Sequence, residues 1–393
     1  MNAPRAETNR RSKWRRMATW VGVLTFTAAA VFAVSLLGFG HWAQLTAACS
    51  TAAVLGVPVL VWNRRARPQP APKAVSRPVV RAASPADSGS LVEQMLHDRR
   101  YGLLLRPEIR ANLSESQLVE ALETLLNDMT AVAGGAVGGN SSAVDLACDD
   151  DDPREAAWST VAPFYLDRAA VTNEQFAQFV AAAGYESPEL WHAEVWAAVS
   201  SFVDRDGQPG PRYWQQGCYP PGKENHPVVG VTWYEAAAYA RWLGKRLPTD
   251  AEWQKAGSCP VMVAAGQMVD RRFPWGDAVD RSRANIWGSG PYETVPVDHY
   301  AEKTVGGIHQ LVGNVWEWIA DDFGQYDRGP RNRIVLSTPM QVIRGGAFDT
   351  YFDSQATCQF QSGENPMSRR QNIGFRLALS VRDLEMPPPA DSD

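Results

Sequence analysis

The residues best suited to chemistry lie near the end of the chain, in VIRGGAFDTYFDSQATCQF, residues 342–360. An Arg-Gly-Gly turn leads into Asp349, Tyr351, Phe352, Asp353, Gln355, Cys358 and Phe360. A lone thiol becomes a nucleophile where its surroundings favour the thiolate, and among apolar side chains it is inert. Aromatics interspersed with acids suit another task, recognition of a peptide or a basic partner. These seven residues form the candidate ligand-binding set. Within it, Cys358 is expected to be a small buried residue rather than a reactive thiol.

The other chemistry-bearing residues are scattered. Cys49, Cys148, Cys218, Cys259 and Cys358 form no CxxC pair, and no His/Cys cluster has zinc spacing. None of the six histidines forms an HxxxH pair. No Ser/His/Asp arrangement, phosphate-binding loop or dinucleotide fingerprint occurs. This cysteine usage fits a reducing compartment. The formal charge is −5, yet it is unevenly placed. Residues 1–67 carry about +8 and the remainder about −13. An acidic body argues against a nucleic-acid-binding face.

Several elements must position these residues. Residues 17–39 are uncharged and long enough to cross a bilayer as a helix. Residues 42–62 read as a second, weaker span. Arginines flank both outer ends, so the positive-inside rule places the rest of the chain in the cytoplasm. The expectation is therefore a multi-pass inner-membrane protein, with the membrane as a partner. An export signal with Arg10-Arg11, or a lipoprotein site at Cys49, would reverse that placement. The organisation read along the chain is 1–65 basic N terminus and spans, 66–89 Pro/Ala-rich tether, 90–128 helical prefix, 129–381 main domain and 382–393 disordered tail.

In the prefix, Ser114 and Gln117 form a capping box before LVEALETLLNDM. Leu118, Leu122 and Leu125 share a stripe there, with Val119 and Leu126 beside it. The helix is expected to pack on the main domain, or else to serve dimerisation or a partner. Beyond residue 129, regular periodicity gives way to Gly, Pro and Trp. Two helices still read clearly. One follows Thr172, with Phe176, Phe179 and Val180 on one face and Gly184 as its stop. The other follows Thr232 and stops at Gly244. In RLPTDAEW, Pro248 and Thr249 open a third. Trp233, Trp253, Trp275, Trp316 and Trp318 are expected in the core. Arg344 and Arg376 are expected to form buried ion pairs or to bond loop carbonyls.

Nine blocks then follow in order: MTAVAGGAV, PFYLDRAAVTNEQFAQFV, HPVVGVTWYEAAAYARWLGKRLPTDAEWQKA, FPWGD, RANIWG, VPVDHY, LVGNVWEW, VIRGGAF and NIGFRLAL. Over 129–381 they resemble the formylglycine-generating enzyme (sulfatase-modifying factor) family. The resemblance implies an α+β fold of the C-type lectin-like kind with little regular structure. It implies two calcium sites, one from Asn285, Ile286, Asp298 and Tyr300, the other from Gln310, Gly313, Val315 and Glu317. Gln310 stands where the family has Asn or Asp. Side-chain amides, carboxylates and carbonyls are the oxygen donors calcium takes.

The family's oxidases hold copper(I) with two cysteines soon after the Arg-Gly-Gly turn. Here those positions fall in AFDTYFDSQA, which has no cysteine, so copper is not expected. The three-histidine iron centre of another branch finds no support either. The reading is a membrane-anchored, non-catalytic domain that recognises a protein or peptide through its C-terminal loops. The alternative is an oxidase acting on a protein cysteine with altered metal ligands, borrowing Cys358.

Overall fold

The computed structural model describes residues 85–138, 159–258, 261–262, 268–301, 306–323 and 338–384. A helical prefix comes first: α1 (Pro85–His97), α2 (Tyr101–Leu104), α3 (Pro107–Arg110) and α4 (Glu115–Asp128). Its first helix begins inside the stretch read as an extended tether. Later come α5 (Asn173–Ala181), α6 (Trp196–Val199), α7 (Trp233–Trp242) and α8 (Asp250–Ser258). The strands are short: β1 (Met129–Val132), β2 (Gly135–Val137), β3 (Ser159–Val161), β4 (Phe164–Asp167), β5 (Val261–Met262), β6 (Met268–Val269), β7 (Trp316–Asp322), β8 (Gln341–Arg344), β9 (Gln361–Glu364), β10 (Ile373–Gly374) and β11 (Ala378–Ser380). They form an antiparallel sheet ordered β1-β4-β11 and a four-stranded sheet ordered β10-β7-β8-β9. In the latter, β10 runs parallel to β7 and the other pairs are antiparallel. Two small pairs, β2-β3 and β5-β6, complete an α+β fold.

Helix starts follow the sequence closely. Ser114, Thr172 and Thr232 each accept a bond from the backbone N–H three residues on. Gln117, Gln175 and Glu235 return it by accepting from the cap's own N–H. Such caps contribute about 1 kcal/mol each. Thr249 and Glu252 repeat the arrangement at the start of α8. Helix ends are subtler. Gly244 stops α7 at φ 72°, and a Cβ there would also lie 2.6 Å from Leu103. After α5 the left-handed residue is Ala183, at φ 57°, not Gly184. Gly184 is needed for closeness instead: its Cβ would lie 2.1 Å from the Phe179 ring.

Aromatic rings fill what short strands cannot. Phe176 stacks on Tyr239 at 5.2 Å and meets Trp214 and Phe375 edge-on at 6.2 and 6.3 Å. A second core gathers Trp253, Leu166, Ile319, Val342 and Cys358. A third joins Tyr101, Leu104, Ala121 and Leu125 of the prefix to Leu379 of β11. The prefix thus packs on the three-stranded sheet. Trp253, Trp316 and Trp318 are buried as expected, while Trp233 and Trp275 are only half-buried at its margins.

Two buried arginines stitch the irregular segments. Arg344 grips Asp250 through Nε and Nη2 (2.5 and 2.7 Å) and donates to the carbonyls of Cys358 and Phe360. Arg376 grips Glu317 and donates to the carbonyls of Asp167, Arg168 and His309. Loop carbonyls left without a ladder would otherwise stand buried and unpaired.

The membrane expectation is corrected. Crossing a bilayer takes about 20 consecutive apolar residues. Among the described residues no helix is long and apolar enough to do so. The longest, α4, has 14 residues, and acids run along it. The spans read over 17–39 and 42–62 lie outside the described residues. The multi-pass inner-membrane placement, the cytoplasmic side assigned from it, and the membrane as a partner do not stand.

Candidate functional site

The Arg-Gly-Gly turn leaves β8 through Gly345 and Gly346, at φ 96° and 75°. A Cβ on Gly345 would lie 2.5 Å from the Leu311 carbonyl, so conformation and space both call for glycine. The next residues are pinned. The Ala347 N–H donates to the Thr350 hydroxyl (2.8 Å), and the Phe348 N–H to the Asn314 carbonyl (3.1 Å). The Trp287 N–H donates to the Thr350 carbonyl (3.2 Å), which joins the 284–293 loop to this one.

Where the two loops meet, four large rings face outward. Tyr351 and Phe352 are 63% and 60% exposed, and Trp287 and Tyr292 are also exposed. Trp287 lies 4.9 Å from Tyr292 and 6.2 Å from Tyr351, and Tyr351 lies 5.2 Å from Phe352 edge-on. Arg281 braces the junction, donating to the Trp287 carbonyl (3.1 Å) and to Asp353 Oδ1 (2.7 Å). Asp349 accepts from the Asn372 amide at 3.1 and 3.0 Å. Contiguous exposed aromatics of this kind mark interaction surfaces more often than isolated ones do.

The candidate ligand-binding set therefore divides. Tyr351 and Phe352 project outward. Asp349 and Asp353 sit at the rim, each already bonded. Gln355 is half-buried. Phe360 turns inward to Trp316, 6.0 Å away, and Cys358 is fully buried. The Cys358 sulfur packs so closely on α8 that a Cβ at Gly257 would come within 2.7 Å of it. That burial agrees with the sequence expectation for Cys358 and removes it from the surface, whereas Phe360 is half-buried.

The family described as "Sulfatase-modifying factor enzyme 1-like domain" matches residues 115–381. The chain belongs to this family. The formylglycine-generating enzyme of Thermomonospora curvata is 32% identical over 301 residues, 65% of this chain and 94% of that protein. The "Inactive C-alpha-formylglycine-generating enzyme 2" of Mus musculus is 30% identical over 255 residues, 56% of this chain and 78% of that protein. The "Serine/threonine-protein kinase Pkn1" of Chlamydia trachomatis is 34% identical over 230 residues, 57% of this chain and 34% of that protein. The chain thus spans about a third of the length of the chlamydial relatives it matches.

Within this sulfatase-modifying factor domain the two calcium sets differ. In the second, the Glu317 carboxylate already accepts from Arg376 and from Trp253 Nε1 (2.8 Å). The Gln310 amide bonds the Pro296 carbonyl and the Asn314 side chain, and Gln310 itself sits at φ 50°. A guanidinium supplies the positive charge that a cation would bring, so this set does not fit calcium. In the first, Asn285 is buried and its Oδ1 has no hydrogen-bond partner, as an unused donor to a hard cation would be. Its Nδ2 donates to the Glu293 carbonyl. The Ile286 carbonyl accepts from Ser289 (3.0 Å). Asp298 lies at the surface, accepts from Asn225 (3.0 Å), and lines a polar cavity of about 490 Å³ with Asp128, Arg168, Lys245 and His309. Tyr300 is half-buried, with its ring 4.7 Å from His299. Asn285 and Asp298 are thus held by different partners.

Trp287, Tyr292 and Arg281 were missed in the sequence. The signal was there for the first two: WGSGPY sets two large rings around small turn-forming residues, a composition of loops rather than cores.

Proposed function

We propose that this domain is a non-catalytic binding module that recognises a protein or peptide segment on the surface formed by Trp287, Tyr292, Tyr351 and Phe352. The observation that carries the reading is the joining of two separate loops into one outward-facing set of rings. Tyr and Trp dominate binding energy at interfaces because they bury much area with few rotatable bonds. The acids at the rim favour a segment that carries basic as well as apolar side chains.

The name of the mouse relative, an inactive formylglycine-generating enzyme, is consistent with loss of chemistry on this fold. The oxidase reading draws no support from the loop itself. Its single thiol is buried against α8, and two thiolates are what a copper(I) centre of that kind takes. Calcium is proposed for the first set alone, held by Asn285 and Asp298 with the Ile286 and Tyr300 carbonyls.

Peptides selected from a random library on the full chain provide the test. Tyr351→Ala with Phe352→Ala should weaken the selected binders about tenfold or more, as loss of hot-spot rings does. Binders indifferent to both substitutions would overturn the proposal. So would stoichiometric Cu(I) binding that disappears in Cys358→Ala.

A further inference from the structure

Helix α4 presents a second apolar stripe that the core does not use. Ala121 and Leu125 face inward against Tyr101 and Leu104. Val119, Leu122 and Leu126 stay 48%, 40% and 57% exposed. Their spacing of three and four residues puts them in one row. Singly exposed apolar residues are ordinary, but three in line on a helix form a face.

The charge beside that row selects its partner. Along α4 stand Glu115, Glu120, Glu123 and Asp128, with no Lys or Arg. Over 85–128 the chain carries eight carboxylates against four arginines. Three of those arginines are engaged locally. Arg99 pairs with Asp128 (2.7 Å), Arg100 donates to the Trp242 carbonyl, and Arg110 donates to the Leu384 carbonyl. A second copy of the chain would set one row of glutamates against another, and facing like charges disfavour association.

We propose that the outer face of α4 docks a basic amphipathic helix of a partner protein. Its apolar residues would cover Val119, Leu122 and Leu126, while Lys or Arg beside them would meet Glu115, Glu120 and Glu123. Helix-on-helix recognition reads this pattern of anchors three and four residues apart. The strip is separate from the aromatic surface, and failure of either proposal leaves the other standing.

The test uses the full chain and a labelled synthetic helix with Leu at positions i, i+3 and i+7 and Lys on the flanks. A scrambled peptide of the same composition is the control. Anisotropy should report binding that weakens with salt and falls at least tenfold in Leu122→Gln with Leu126→Gln. Both positions are exposed, so the melting temperature should hold. Glu120→Lys with Glu123→Lys should shift preference to a Glu-flanked peptide. Equal binding of the scrambled peptide, or binding indifferent to the leucine changes, would overturn the proposal. A chain whose self-association is abolished by the leucine changes would assign the strip to a second copy instead. Binding that emerges only after residues 1–16 are removed would assign it to the chain's own basic terminus.

Discussion

The Arg376 guanidinium holds the Glu317 carboxylate by three hydrogen bonds of 2.7 to 3.0 Å, with neither side chain more than 1% exposed. Trp253 donates to the same carboxylate. One acid on β7 thus anchors helix α8 through Trp253 and, through Arg376, the carbonyls of Asp167, Arg168 and His309.

Breaking that pair leaves a buried charge without its complement. Glu317→Gln is expected to destabilise the domain by about 3–5 kcal/mol, the range found when one partner of a buried ion pair is removed. Chemical denaturation measures it directly. Added calcium should not restore the loss, because the acid's role is the guanidinium.

The first calcium set behaves differently if it is filled. A chelator should lower the melting temperature, since a cation that binds only the native state stabilises it by about 2.7 kcal/mol at a hundredfold excess over Kd. Asn285→Ala and Asp298→Ala should each abolish most of that sensitivity. A melting curve indifferent to chelator in the parent chain would leave Asn285 Oδ1 as a buried acceptor that is simply unpaired.

Gly184→Ala should cost about 1–3 kcal/mol, the usual penalty for overpacking, because the new methyl would meet the buried Phe179 ring at 2.1 Å. Gly207→Ala is the comparison. There φ is 85° but nothing lies within 4 Å of the added Cβ, so only backbone strain opposes it. Pairing Gly184→Ala with Phe179→Leu should recover part of its loss, whereas no neighbouring change should rescue Gly207→Ala.

Stability should fall as pH drops through the histidine range. Burial holds His192 below its ordinary value, and the charge of the Arg241 guanidinium, which lies 2.7 Å from Nε2, adds to the shift. Burial and then Lys223 lower His226 likewise. The unfolded chain takes up these protons near pH ~6.5 and the native state only at lower pH. The stability they contribute is therefore present above that range and is lost below it. Denaturation at pH 7.5 and 5.5 should show the drop, and His192→Gln should make it shallower.

Much of the local structure was legible because it depends on near neighbours. Ser114, Thr172 and Thr232 announce their helices; the box expected at Ser114 forms, and Thr172 and Thr232 form boxes of the same kind. Gly184 was read as the stop of its helix, but the left-handed residue there is Ala183, and the constraint on Gly184 is a ring five residues back. The pairing of Glu317, in the second calcium set, has a longer-range cause. Nothing beside Glu317 in the sequence reveals that Arg376, 59 positions on, will fold over it. The aromatic surface is the same kind of case. Trp287 and Tyr351 become neighbours where Thr350 accepts the Trp287 N–H. Which rings end up outside depends on that meeting of loops.

Strand β4 lies between β1 and β11, pairing Leu166 with Thr130 on one side and with Ala378 on the other. The first partner is close in sequence, and the second lies far along the chain and is made much later. A chain emerging from the ribosome can form the β1-β4 pair early, but β4 keeps an open edge until β11 arrives. The Leu379 side chain that completes the prefix core is equally late. Closing so distant a contact makes folding slow, and the half-built sheet is the species most exposed to mispairing with a neighbouring chain. Pulse-labelling hydrogen exchange should find the β4 amides among the last to become protected.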